Sequence, residues 1–188
     1  TGWYYQQFLK IKSVELSKSD ITIILDGDTY LLPEYLYQCI MKKQLSQTSE
    51  DIAKYNKLLK THFDLGVECQ KSFIANYGII KKEYLIEAVG NVENYYEKVV
   101  ESTCLGVNGQ DFSEYQLFGN IMLMKGWTGI HFKLFRRADL LQSLMGQAKV
   151  YEVLLKRGYH AISFEINHKR NLFKSMLALV YLLFAKAW

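Results

Sequence analysis

The sequence predicts an α/β fold in which strands and helices alternate. Short aliphatic runs of strand length recur along the chain, the clearest being Ile21–Leu25, "ITIIL". Between them lie segments whose apolar residues follow helical spacing, and that alternation implies a layered α/β architecture. The chain has 188 residues, with 49% hydrophobic and 22% charged, so one domain can bury a real core.

In chain order, Gly2 to Ser17 reads as a helix, with Trp3, Phe8, Ile11, Val14 and Leu16 near helical spacing. Residues 17–20 form a polar break. Ile21 to Leu25 is continuously apolar and is expected as a central strand covered on both faces. Pro33, the sole proline, can open a short helix. Ser49-Glu50-Asp51 begins a polar helix that runs to about Lys60, and "KSFIANYGII" (71–80) reads as a second core strand. Helices follow at 83–89 and 92–101, then the turn "GVNGQD". Ser113 opens a strong helix, "SEYQLFGNIMLM", which stops at Lys125-Gly126. Residues 130–135 read as a strand, 139–157 as a helix closed by Gly158, and 161–165 as a short strand. A final helix is expected from about 171 to 188. No repeat or linker is visible, so one domain over 1–188 is expected.

Composition narrows the function classes. Net charge is +4 and the pI about 8.8, with basic residues scattered in pairs, which is too weak a pattern for a nucleic-acid binder. The three cysteines, Cys39, Cys69 and Cys104, are far apart and form no CxxC, which argues against a disulfide scaffold or zinc site and for a reducing, cytoplasmic setting. No signal peptide is visible. The C-terminal apolar run, Ser175 to Ala185, is about half of what a bilayer span needs. A core-packed helix is its plain reading. Lysine, arginine and Trp188 at its flanks leave peripheral association with a membrane face open. The 14 tyrosines suit core margins, and also ring-shaped polar ligands.

The stretch that asks for chemistry is "ILDGDTYLLP", where the apolar strand ends in Asp26-Gly27-Asp28. Carboxylates two positions apart on an extended chain point the same way and repel, so burying them requires a partner or a metal. In open α/β sheets ligands bind where strands end. Two convergent carboxylates suit Mg²⁺ or Mn²⁺ together with phosphates, and such an ion can neutralise a diphosphate leaving group. A turn with two solvated aspartates is the plain structural alternative. Haloacid dehalogenase-type phosphatases also place Asp-x-Asp after a strand. Their pattern has Thr or Val two positions after the second aspartate, where this chain has Tyr30.

Three segments taken together are more particular: "GWYYQQFLKI" with Gln6, Gln7 and Lys10, "IILDGDTYLLP", and "DFSEYQLFGNIM" with Ser113, Glu114 and Tyr115. In order and spacing they resemble a poorly characterised group of bacterial glycosyltransferases of the GT-A type, over Gly2 to about Glu165. The resemblance implies a GT-A-like (Rossmann-like) mixed sheet flanked by helices. It implies a nucleotide-sugar donor, a divalent Mn²⁺ or Mg²⁺, and a glycan or lipid-linked glycan acceptor, in bacterial surface polysaccharide synthesis at the inner face of the membrane.

The same resemblance assigns residues. Asp26 and Asp28 would be the metal pair, Asp28 the stronger candidate for direct ligation. Lys10 would meet donor phosphates, and Gln6 or Gln7 the nucleotide. "FIANYGII" is similar to the Asn-x-Gly strand that faces the donor sugar in several GT-A families, which brings in Asn76. Glu114, in the first turn of a helix capped by Ser113, would be the general base, since the helix dipole favours its charged form. Tyr115 would stack on an acceptor sugar. His131 would be a further metal ligand, with His168 second, and Arg136-Arg137 could neutralise phosphates. GT-A folds normally carry a nucleotide-binding strand and helix well upstream of the Asp-x-Asp strand. Asp26 comes early here, so an N-terminally incomplete domain is expected. Two other classes stay open, a metal-dependent phosphatase or nucleotidyltransferase and a noncatalytic carbohydrate-binding module.

Overall fold

The computed structural model describes residues 2–49, 51–65, 71–90, 95–97, 100, 112–135 and 146–164. The expected helix over 92–101 lies largely outside these residues. So do the turn at 106–111, Arg136-Arg137, the start of the helix expected at 139–157, His168 and the expected C-terminal helix.

The fold is mixed α/β, built from small sheets and helices. The chain divides into two compact units, Thr1–Asp26 with Pro33–Phe132, and Gly27–Leu32 with Lys133–Trp188.

The first unit starts with α1 (Gly2–Leu16) and β1 (Ile21–Leu25). Gln7, Lys10, Ile11 and Val14 fall three or four residues apart and so share one face of α1, and Gln7, Ile11 and Val14 on it are buried. After α2 (Pro33–Met41), β3 (Gln44–Gln47) and α3 (Ala53–Phe63) come β4 (Tyr77–Lys81) and α4 (Lys82–Val89). The unit closes with α5 (Glu114–Met124) and β5 (Thr128–His131).

Strands β1 and β4 pair antiparallel, Ile21 opposite Lys81 and Leu25 opposite Tyr77, and β3 and β5 pair parallel. The expectation of a doubly covered central strand at Ile21–Leu25 is corrected. Among the described residues β1 has one partner, and only Ile24 on it is buried, with Ile23 and Leu25 exposed. A short apolar run reports apolarity and leaves the number of covering layers open. The helix at "SEYQLFGNIMLM" is instead the buried core element, covered from Glu114 through Met122. It lies close on β4 and the segment before it. A Cβ added at Gly78 would meet the Tyr115 and Phe118 rings, and one at Gly119 would meet Phe73.

The second unit holds β2 (Thr29–Leu31), β6 (Leu134–Phe135), α6 (Gln147–Lys156) and β7 (Ala161–Ser163). Its sheet order is β2-β7-β6, with β2 antiparallel and β6 parallel to β7. Val150 and Leu154 of α6 pack with Ile162 of β7 as its core. Gly158 follows the last turn of α6 at φ +71°, a left-handed position that favours glycine, which matches the predicted helix stop. Among the described residues no helix is long and apolar enough to cross a membrane.

Candidate functional site

Five side chains from three distant segments of the first unit meet at one point. The apolar stripe of α1 turns Gln7 and Lys10 inward. Asp26 arrives at the end of β1, its backbone N–H donating to the Asn76 carbonyl at 2.9 Å, which extends the β1–β4 ladder by one step. Asn76 is buried and holds φ +59°, a conformation that asparagine tolerates better than most residues. Glu114 and Tyr115 come from the first turn of α5. Ser113 caps that helix in an extended conformation, its hydroxyl accepting from the Gln116 N–H at 3.4 Å.

The Lys10 ammonium is the hub. It donates to Asp26 Oδ1 at 2.6 Å, to Glu114 Oε1 at 2.6 Å and to the Tyr115 hydroxyl at 3.1 Å. The Tyr115 hydroxyl in turn donates to Asp26 Oδ1 at 2.6 Å, closing a ring of three groups. An ammonium has three N–H donors, and all three are directed at protein acceptors. The Gln7 amide lies against Glu114. In one orientation its oxygen accepts from the Glu114 backbone N–H at 3.3 Å. Turned over, its nitrogen faces both Glu114 carboxylate oxygens, and pairing a donor with a carboxylate makes this the favoured orientation.

The site grades from closed to open. The Glu114 side chain is 2% exposed, Lys10 13% and Asp26 27%. Burial raises the Glu114 carboxyl above its ordinary range, with Lys10 pulling the other way. Burial works against the Lys10 charge too, but Glu114 and Asp26 outweigh it and hold the ammonium above the ordinary lysine value. Tyr95 is fully buried nearby. Burial first, and then the Glu114 charge, push its phenol well up.

Gln6 is exposed on α1. His131 is exposed at the end of β5, paired in register with Gln47. Asp28 belongs to the second unit, is exposed, and accepts from its neighbour Thr29 at 3.3 Å. Among the described residues no three His, Cys, Asp or Glu side chains cluster as a metal-holding group.

Sequence reasoning missed a second polar cluster in the same unit. Ser46 on β3 hydrogen-bonds the Tyr35 hydroxyl at 2.9 Å and also the Tyr77 hydroxyl, beside buried Cys39. Burial raises both phenols, and these residues are too scattered in sequence to signal the contact. No protein-family model, curated protein or solved structure matches the chain.

Proposed function

We propose that the chain is a metal-dependent glycosyltransferase that moves a sugar from a nucleotide-sugar donor to a glycan acceptor, on a GT-A-like fold. One observation carries the reading. The three segments on which the family resemblance rests bring Lys10, Asp26 and Glu114 to a single cluster. In this reading Glu114 is the proton acceptor, and burial, by raising its carboxyl, makes it a stronger base than an ordinary glutamate. Asp26 is the open end of the cluster, so the acceptor hydroxyl approaches from its side. Gln7 and Lys10 hold the Glu114 carboxylate, and the Lys10 ammonium, which bridges Asp26 and Glu114, must give way as the hydroxyl reaches the base.

The residues fit a divalent cation in part. Asp28 presents an exposed hard-oxygen donor, whereas Asp26 Oδ1 is already bonded to Lys10 and Tyr115. Asp28, the more exposed of the two, is the first candidate to hold the ion. A bound ion would supply neutralisation of the diphosphate leaving group. The acceptor, whether glycan or lipid-linked glycan, and an inner-membrane-face setting belong to this same reading.

Calorimetric titration of nucleoside diphosphates, with and without Mn²⁺, tests it. Metal-dependent binding that vanishes in Asp28→Ala is the expected result. Absence of metal-dependent binding in the wild type would overturn the transferase and favour a noncatalytic binding module.

A further inference from the structure

A buried cluster with two carboxylates needs a cation to hold it together, and the residues here already supply one. Lys10 bonds both acids at 2.6 Å, the Tyr115 hydroxyl closes the ring on Asp26, and no ammonium N–H is left over. The side chain that does this is itself only 13% exposed. Its ammonium also lies 4.4 Å from the centre of the Tyr115 ring, a cation–π distance that seats the charge over the helix start. Among the described residues, the recorded partners of the Lys10 ammonium are the Asp26 and Glu114 carboxylates and the Tyr115 hydroxyl and ring. A phosphate or a metal ion entering between Asp26 and Glu114 would first have to displace it.

We propose that Lys10 is the resident cation that assembles Asp26, Glu114 and Tyr115 without metal, so that Lys10 and Asp26 are positioning residues rather than a phosphate ligand and a metal ligand. The part that concerns the metal rests on the transferase reading, with Asp28 left as the ion's protein ligand. The assembly part does not depend on it.

Two measurements separate these parts. The first is titration of Mn²⁺ alone into wild type, Asp26→Asn and Asp28→Asn. Asp26→Asn should stay within about threefold of wild type while Asp28→Asn loses more than about tenfold, since only a directly ligating carboxylate dominates affinity. An equal loss in both variants would overturn the assignment of Asp26. If wild type binds no Mn²⁺, the metal-dependent function fails, and the second measurement decides the lysine's role alone.

That second measurement is thermal unfolding in excess chelator. Lys10→Met should lower the midpoint by roughly 5–10 °C, because it strands a buried carboxylate. The double variant Lys10→Met with Glu114→Gln should recover most of the loss, and should fold even if Lys10→Met alone does not. A Lys10→Met protein as stable as wild type in chelator would overturn the proposal. A double variant no better than the single would do the same.

Discussion

Lys10 and Glu114 stand 104 positions apart in the chain and are joined by a 2.6 Å ion pair in which the carboxylate is 2% exposed. A charge that deep is tolerated because its partner is fixed by two further bonds, to Asp26 and Tyr115. Glu114→Gln keeps the shape and removes the base. On the proposed transferase reading it should lower sugar transfer by about 10²–10⁴-fold while nucleotide affinity changes little. Steady-state kinetics beside calorimetry checks this, and equal losses in both would assign Glu114 to binding instead.

The same carboxyl sets a pH dependence of stability. Burial raises its folded-state pKa above the unfolded value. Its contribution is then fully present below the unfolded pKa, about 4.3, and is lost as pH rises through the folded pKa. Glu114→Gln deletes that term. The wild type's stability relative to Glu114→Gln should therefore be greatest at acid pH and decline as pH climbs past the ordinary carboxylate range. Urea unfolding of both proteins over that range measures it, and a difference that grows with pH would contradict the burial argument.

Gln7 provides a sharper test of how the cluster is seated. It is 3% exposed and lies against Glu114 from α1. Gln7→Leu retains the packing volume and removes the amide, leaving a buried carboxylate oxygen without its donor. A loss of about 1–3 kcal/mol is expected. Gln6→Leu, at an exposed position on the same helix, should stay within about 0.5 kcal/mol of wild type. Similar losses for the two substitutions would mean that Gln7 contributes helix packing alone.

That contrast shows how much of the site the sequence could carry. Helical phase alone sets Gln7 and Lys10 beside Ile11 and Val14, so the inward face of α1 could be read from spacing. The Ser113 cap and the stop at Lys125-Gly126 were legible for the same local reason, since capping chemistry acts within one turn. That β1 has one strand partner among the described residues, with Ile23 and Leu25 exposed, was not legible, because apolar content is the same for an edge strand and a central one. Nor was the lysine between the two acids. Asp26 and Glu114 acquire a shared cation only when α1, the end of β1 and the start of α5 come together, and no local pattern encodes that contact. The Ser46–Tyr77 bond stayed hidden for the same reason.

Close packing of β4 on α5 gives a last prediction, in which two glycines near the Asp-x-Asp segment behave differently. At Gly78 a Cβ would lie 2.9 Å from Tyr115 Cδ1 and 3.0 Å from Phe118 Cδ2, so the Tyr115 ring must shift and Phe118 is crowded. At Gly27 a Cβ would meet nothing within 4 Å. Gly78→Ala should therefore destabilise by about 1–3 kcal/mol, as overpacked cores do. It should also weaken the Tyr115 bond to Asp26, because the ring that shifts carries that hydroxyl. Gly27→Ala should leave stability within about 0.5 kcal/mol of wild type. Urea unfolding separates the two. Tyr115→Phe completes the comparison by removing the hydroxyl without moving the ring. If Gly78→Ala and Tyr115→Phe each reduce the proposed transfer activity and their combination reduces it no further, the backbone at Gly78 acts on the site through Tyr115. A fully additive loss would show instead that Gly78 acts through Phe118 and the core.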